Sequence, residues 1–175
     1  MKRILLFATL AFFIVSCSNE AGMSSAAKKN LDAMHGVNKC FETKDFSNLG
    51  DFVADSCVDY AGEQGPIRGL ENMKAEFTKW SAMSENVSQE TIKELADDEY
   101  AMAWMRFKGT MTVDNMGMKK GDSYDMQAVE VVQFNKDSKA IAHWTFVDPA
   151  EMMKMMSGMM PPPADTTQAP PMEKK

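Results

Sequence analysis

No stretch of this 175-residue chain is apolar for long enough to cross a bilayer as a helix. The longest apolar run, Ile4 to Val15, holds twelve residues, well below the roughly 20 that a spanning helix needs. Basic residues are scarce as well. Nineteen Lys and Arg stand against 25 Asp and Glu, and the lysine pairs Lys28-Lys29, Lys119-Lys120 and Lys174-Lys175 lie far apart. A protein that neutralises phosphates needs a concentrated basic face, so charge excludes nucleic acid as a partner. Histidine occurs twice, at His35 and His143, which leaves few candidates for proton transfer near neutral pH. Cysteine occurs three times, at Cys17, Cys40 and Cys57.

What the N-terminus does contain is a basic start, Lys2-Arg3, then the short apolar run, then Ser16-Cys17. That order has the shape of a secretory signal removed after export, which assigns residues 1–16 to a signal peptide. Ile14-Val15-Ser16-Cys17 resembles the bacterial lipobox, and the resemblance implies that Cys17 becomes a lipidated first residue. The expected first partner is therefore a membrane, held through acyl chains at roughly 0.8 kcal/mol per buried methylene. Ser18 and Asn19 follow the cysteine where retained enterobacterial lipoproteins carry Asp, so the outer membrane is favoured. Residues 17–23 are small and polar and read as a flexible tether. Without residues 1–16, which hold Lys2 and Arg3 and no acid, 17 basic residues face 25 acidic ones, a formal charge of -8. Lipidation of Cys17 leaves Cys40 and Cys57 as an even pair in an oxidising compartment, either a disulfide or two small buried thiols.

From Ser24 to Thr43, Leu31, Met34, Val37 and Phe41 recur every three or four residues and predict a long amphipathic helix capped by Ser24 or Ser25. Phe46, Leu49 and Phe52 or Val53 predict a shorter second helix over Asp45 to Asp55. A brief alternating strand follows at Cys57 to Ala61, and Gly62 to Pro66 break the chain. Leu70, Met73, Phe77 and Trp80 predict a third helix running to Met83. After Ser84 the period changes to that of strands. Val87 to Leu95 is the weakest and reads as partly helical; Tyr100 to Val113, Tyr124 to Phe134 and Ala140 to Val147 alternate clearly. Glu151 to Met160 predicts a short closing helix, and residues 161–175, with five prolines, read as a disordered tail. Helices first and antiparallel strands after them predict one α+β domain over residues 24–160, with three helices on one face of a curved antiparallel sheet and a cleft between.

Three stretches resemble the nuclear transport factor 2-like superfamily, and within it the SnoaL-like group that includes polyketide cyclases. They are Gly65-Pro66-Ile67-Arg68-Gly69-Leu70-Glu71 before the third helix, Phe107-Lys108-Gly109-Thr110-Met111-Thr112 in mid-sheet, and Val129 to Met153 with its His143-Trp144 pair and a following Asp148. The resemblance implies a cone around a pocket, cofactor-free function, and dimerisation through the outer sheet face. It also implies a choice between ligand binding and acid/base chemistry of cyclase, isomerase or dehydratase type. Cyclases of the group place an acid just after the His-Trp pair, where this chain has Thr145.

A small hydrophobic molecule is the expected ligand, with Tyr60, Trp80, Trp104, Tyr124, Met126 and Trp144 as candidate pocket residues. If the domain is an enzyme, the candidates for proton transfer are His143, Glu130 and Asp148. Eighteen methionines are the other unusual feature, and Met152, Met155, Met156 and Met159 share one face of the closing helix. Thioethers are soft ligands for Cu(I), yet the same spacing is that of a helix laid against a core. No other metal or cofactor is implied.

Overall fold

The computed structural model describes residues 22–150 apart from 63 and 116, together with 153. The signal peptide, Cys17, most of the tether, the closing helix, the Met152, Met155, Met156 and Met159 set, and the proline-rich tail lie outside the described residues. No helix among the described residues is long and apolar enough to cross a membrane.

Helix α1 spans Ser25–Thr43. Ser24 caps it, its hydroxyl accepting from the Ala27 N–H at 3.0 Å, which satisfies one of the free donors of the first turn. Leu31, Met34 and Cys40 turn one face into the core. The second helix is shorter than its pattern predicts: α2 covers only Leu49–Phe52. Asp45 closes a turn by accepting from the Ser47 N–H, and Val53 already pairs as a strand with Ala140. Phe52 packs against Gly36 of α1, where a Cβ would fall 2.4 Å from the ring. Strand β1 is Val53–Asp59, β2 is Ile67–Arg68, and α3 is Leu70–Ala82.

Four long strands follow: β3 Ser84–Ala96, β4 Tyr100–Met111, β5 Ser123–Phe134 and β6 Ala140–Val147. With β1 and β2 they form a curved, open six-stranded sheet in the order β2-β1-β6-β5-β4-β3. Every neighbouring pair is antiparallel except β1 and β6, which run parallel. The curved sheet with helices at its N-terminal side is as expected, and the one parallel pair departs from the antiparallel sheet. Hairpins connect β3 through β6, whereas β1 joins β6 only after the chain has passed through β2, α3 and the rest of the sheet, so no tight turn fixes its direction. Strand β3 is continuous, with no helical part. Its register shifts between Glu85 and Ser88 and again between Thr91 and Lys93, and as an edge strand it is exposed along most of its length. Bulges on a polar edge erase the alternation that would have identified it.

The helices cover the inner face of the sheet. Leu49, Met73, Phe77, Ala101, Ala103, Met105 and Phe134 are buried between the layers, and Phe41, Phe46 and Phe77 pack edge-on or tilted with centroids 4.9–5.9 Å apart. Cys40 and Cys57 are both buried and free, which corrects the disulfide alternative. A domain of this size reaches a sufficient core without a staple. Burial pushes the Cys57 thiol up to about 12, with the nearby Asp59 charge adding to it, and burial also raises Cys40. Both thiols should therefore be silent towards a thiol reagent in the native protein and react only after denaturation, without added reductant. A titration that finds neither thiol in the denatured chain would overturn this.

Candidate functional site

Three strands bring one polar cluster to the inner face. His143, in the middle of β6, stands beside Asp59 of β1 and Val132 of β5, while Thr145 stands beside Glu130 of β5. Alternation puts His143 and Thr145 on the same side of β6, and Glu130 and Val132 on the same side of β5. His143 Nδ1 lies 2.9 Å from Asp59 Oδ1, and its Nε2 lies 2.5 Å from Glu130 Oε2. The Thr145 hydroxyl donates to the same Glu130 oxygen at 2.8 Å, and the Ala61 N–H donates to Asp59 Oδ1 at 2.8 Å. Asp59 is 0% exposed, and its Oδ2 is buried without a hydrogen-bond partner among the described residues.

Burial alone would lower the His143 pKa. The hydrogen bonds and charges of Asp59 and Glu130 outweigh it and hold the imidazole at about 10. At neutral pH the ring is an imidazolium donating one N–H to each carboxylate. The two carboxyl groups flank the ring, one at each nitrogen.

The cluster forms part of the wall of a cavity of about 290 Å³ between the sheet and helices α1 and α3. The rest of the lining is mainly apolar, including Met34 and Phe41 from α1, Phe77 and Trp80 from α3, and Phe107 from β4. Tyr124 lies over Gly109 across the β4–β5 pair, where a Cβ would stand 2.5 Å from its hydroxyl. Only glycine leaves room for that ring.

Of the residues expected to line a pocket, Trp80 and Tyr124 do so. Met126 is half-buried on β5 but does not reach the wall. Tyr60, Trp104 and Trp144 are corrections, because none of them lines the cavity. Trp144 follows inward-facing His143 and so points the other way, stacking on Tyr60 with ring centroids 5.2 Å apart. Trp104 alternates with buried Ala103 and Met105, and its indole donates to Gln127 on the outer face. Asp148 is also displaced: β6 ends at Val147, and the exposed Asp148 carboxylate accepts from the Ala150 N–H. Glu130 and His143 do meet on the cavity wall. His35 is exposed and pairs with Glu94. Asp59 is the residue that pattern reading missed. Its signal was present, since it stands two residues after buried Cys57 on the inward side of β1, and an acid on a core-facing position is rarely there without a partner. Among the described residues no group of His, Cys, Asp and Glu has the arrangement of a metal site.

This architecture is that of a small α+β domain that encloses a cavity between sheet and helices. Residues 31–156 match the model of the SnoaL-like polyketide cyclase family, and the chain belongs to that family. Similar solved structures include a SnoaL-like polyketide cyclase from Agrobacterium tumefaciens, 18% identical, covering 73% of this chain and 97% of that one with a TM-score of 0.62. Another, described as a putative SnoaL-like polyketide cyclase from Jannaschia, is 13% identical, covers 81% and 99%, and has a TM-score of 0.66. An epoxide hydrolase from M. tuberculosis is 12% identical, covers 76% and 93%, and has a TM-score of 0.60. At these identities the likeness concerns the fold. No curated protein matches the chain.

Proposed function

We propose that the domain binds a small, mainly apolar molecule in its cavity and removes one proton from it through Glu130. The Asp59–His143–Glu130 chain on the wall of an apolar cavity carries this reading. A general base must sit within hydrogen-bond reach of its proton in a place that excludes water. Glu130 meets that requirement, being 14% exposed and held at Oε2 by His143 and Thr145, with Oε1 left for the ligand. Asp59 orients the imidazolium, and the imidazolium steadies the Glu130 charge. The reaction class is abstraction of an acidic C–H or O–H proton, consistent with the relatives named as cyclases and as an epoxide hydrolase.

Binding without turnover is the second reading. It is favoured because both His143 nitrogens are already engaged, so the imidazolium has no N–H left for a developing oxyanion. Nitrobenzisoxazole, which opens on loss of a single C–H proton, separates the two. The first reading expects the wild-type protein to accelerate the opening and Glu130→Gln to lose most of that acceleration; a wild-type rate no faster than the uncatalysed one leaves binding alone.

The sequence from Lys2 to Cys17 supports placing this site outside the cytoplasm on an acyl anchor at Cys17, in the outer membrane. Radiolabelled palmitate should enter the protein in bacterial cells and should not enter Cys17→Ser. Equal labelling of both would rule out this anchor.

A further inference from the structure

Beside the Asp59–His143–Glu130 cluster the cavity's hydrogen-bonding groups are unevenly committed, whereas the Trp80 indole and the Tyr124 hydroxyl in the same lining have no hydrogen-bond partner among the described residues. Two cationic side chains contribute to its lining, His143 and Lys44. The His143 nitrogens both face protein carboxylates, and the exposed Lys44, at the C-terminal end of α1, donates to the Ser84 carbonyl at 2.7 Å. The Thr145 hydroxyl is given to Glu130. On the acceptor side, Glu130 takes both of its bonds at Oε2, and Asp59 takes both of its bonds at Oδ1. Gln89, also on the wall, has a buried Oε1 with no partner among the described residues.

The geometry points to a ligand that brings its own hydrogen-bond donor to this cluster, a neutral hydroxyl compound or an amine, and to rejection of carboxylates and other anions there. The donor would meet Glu130 Oε1, the cluster's partly accessible acceptor, while Asp59 stays buried behind the ring. An anion entering the same place would face two carboxylates against one imidazolium whose N–H groups are already engaged. In a site of low effective dielectric, unit charges a few ångströms apart differ in binding by about tenfold or more. Specificity of this kind is a matter of which buried group is left unpaired.

This inference rests on the ligand cavity proposed above, and the experiment separates the two. Phenethyl alcohol, phenethylamine, phenylacetate and ethylbenzene share one apolar body, and their binding to the full chain can be followed by calorimetry at neutral pH. The alcohol and the amine should bind more tightly than ethylbenzene, and phenylacetate about tenfold or more weaker than the alcohol. Glu130→Gln should narrow the gap between alcohol and phenylacetate. Equal binding of all four overturns the donor rule and leaves the cavity standing. Tighter binding of phenylacetate overturns it outright. Failure of all four, ethylbenzene included, removes the cavity reading together with the donor rule.

Discussion

Replacing His143 with leucine should destabilise the domain by about 3–5 kcal/mol at neutral pH, the usual consequence of removing one partner from a buried ionic cluster. The reason lies in what remains. Asp59 is fully buried and Glu130 is 14% exposed, and the leucine leaves both without the ring that hydrogen-bonds them. The wild-type protein should also show a characteristic alkaline loss of stability. The folded-state pKa of His143, about 10, lies above the ordinary value of 6.5. A raised imidazole pKa contributes stability that is complete below about 6.5 and disappears as pH rises through about 10. Each unit of that interval corresponds to about 1.4 kcal/mol, so urea unfolding should give a wild-type stability lower by about 2–3 kcal/mol at pH 9 than at pH 6.5. His143→Leu should be far flatter over the same interval. A wild-type curve that does not fall between these values would show that the imidazole is not held as a cation.

The elements easiest to read from the residues are those buried on one face only. In α1 the spacing of Leu31, Met34 and Phe41 and the Ser24 cap mark both the helix and its start, because one side meets the core and the other meets water. Strands β4 and β5 are legible for the same reason, with buried Ala101, Ala103 and Met105 alternating against exposed Met102 and Trp104. The misread elements break that condition. Strand β3 lies at the sheet edge and is bulged twice, so tertiary pairing with β4 keeps it extended where its own pattern is ambiguous. The region from Asp45 to Asp55 shows a helical period, but the turn closed by Asp45 and the pairing of Val53 with Ala140 divide it between a loop, one helical turn and a strand.

The same distinction governs the site. Glu130 and His143 can be named from alternation and from the rarity of histidine, since each sits on an inward position of a regular strand. Whether they meet depends on register between strands, which no local pattern contains. Asp59 depends on it most. It reaches His143 only because β1 lies parallel to β6, the one pairing in the sheet that hairpin logic does not supply. Aromatic residues were a poor guide to the cavity because tryptophan and tyrosine suit an exposed pleated face as well as a buried one. The outer face accordingly carries Trp104, Phe146 and the Tyr60–Trp144 stack.

Glu130→Gln should reduce the deprotonation of nitrobenzisoxazole by about a hundred- to ten-thousand-fold, the range that a positioned general base contributes. The substitution is nearly isosteric, and the Gln carbonyl can still accept the Thr145 hydroxyl, so the cavity should keep its shape. What it removes is the charge that accepts the proton. Loss of that charge should act on kcat, with KM for this neutral substrate close to unchanged, because an apolar ring binds the cavity walls and not the carboxylate. His143 would lose one of its two counter-charges, so its alkaline transition should move to lower pH in the variant, with Asp59 alone holding the ring. That second readout distinguishes a lost base from a collapsed site. A variant with unchanged kcat would assign the proton transfer to another group, and a raised KM with unchanged kcat would make Glu130 a binding residue only.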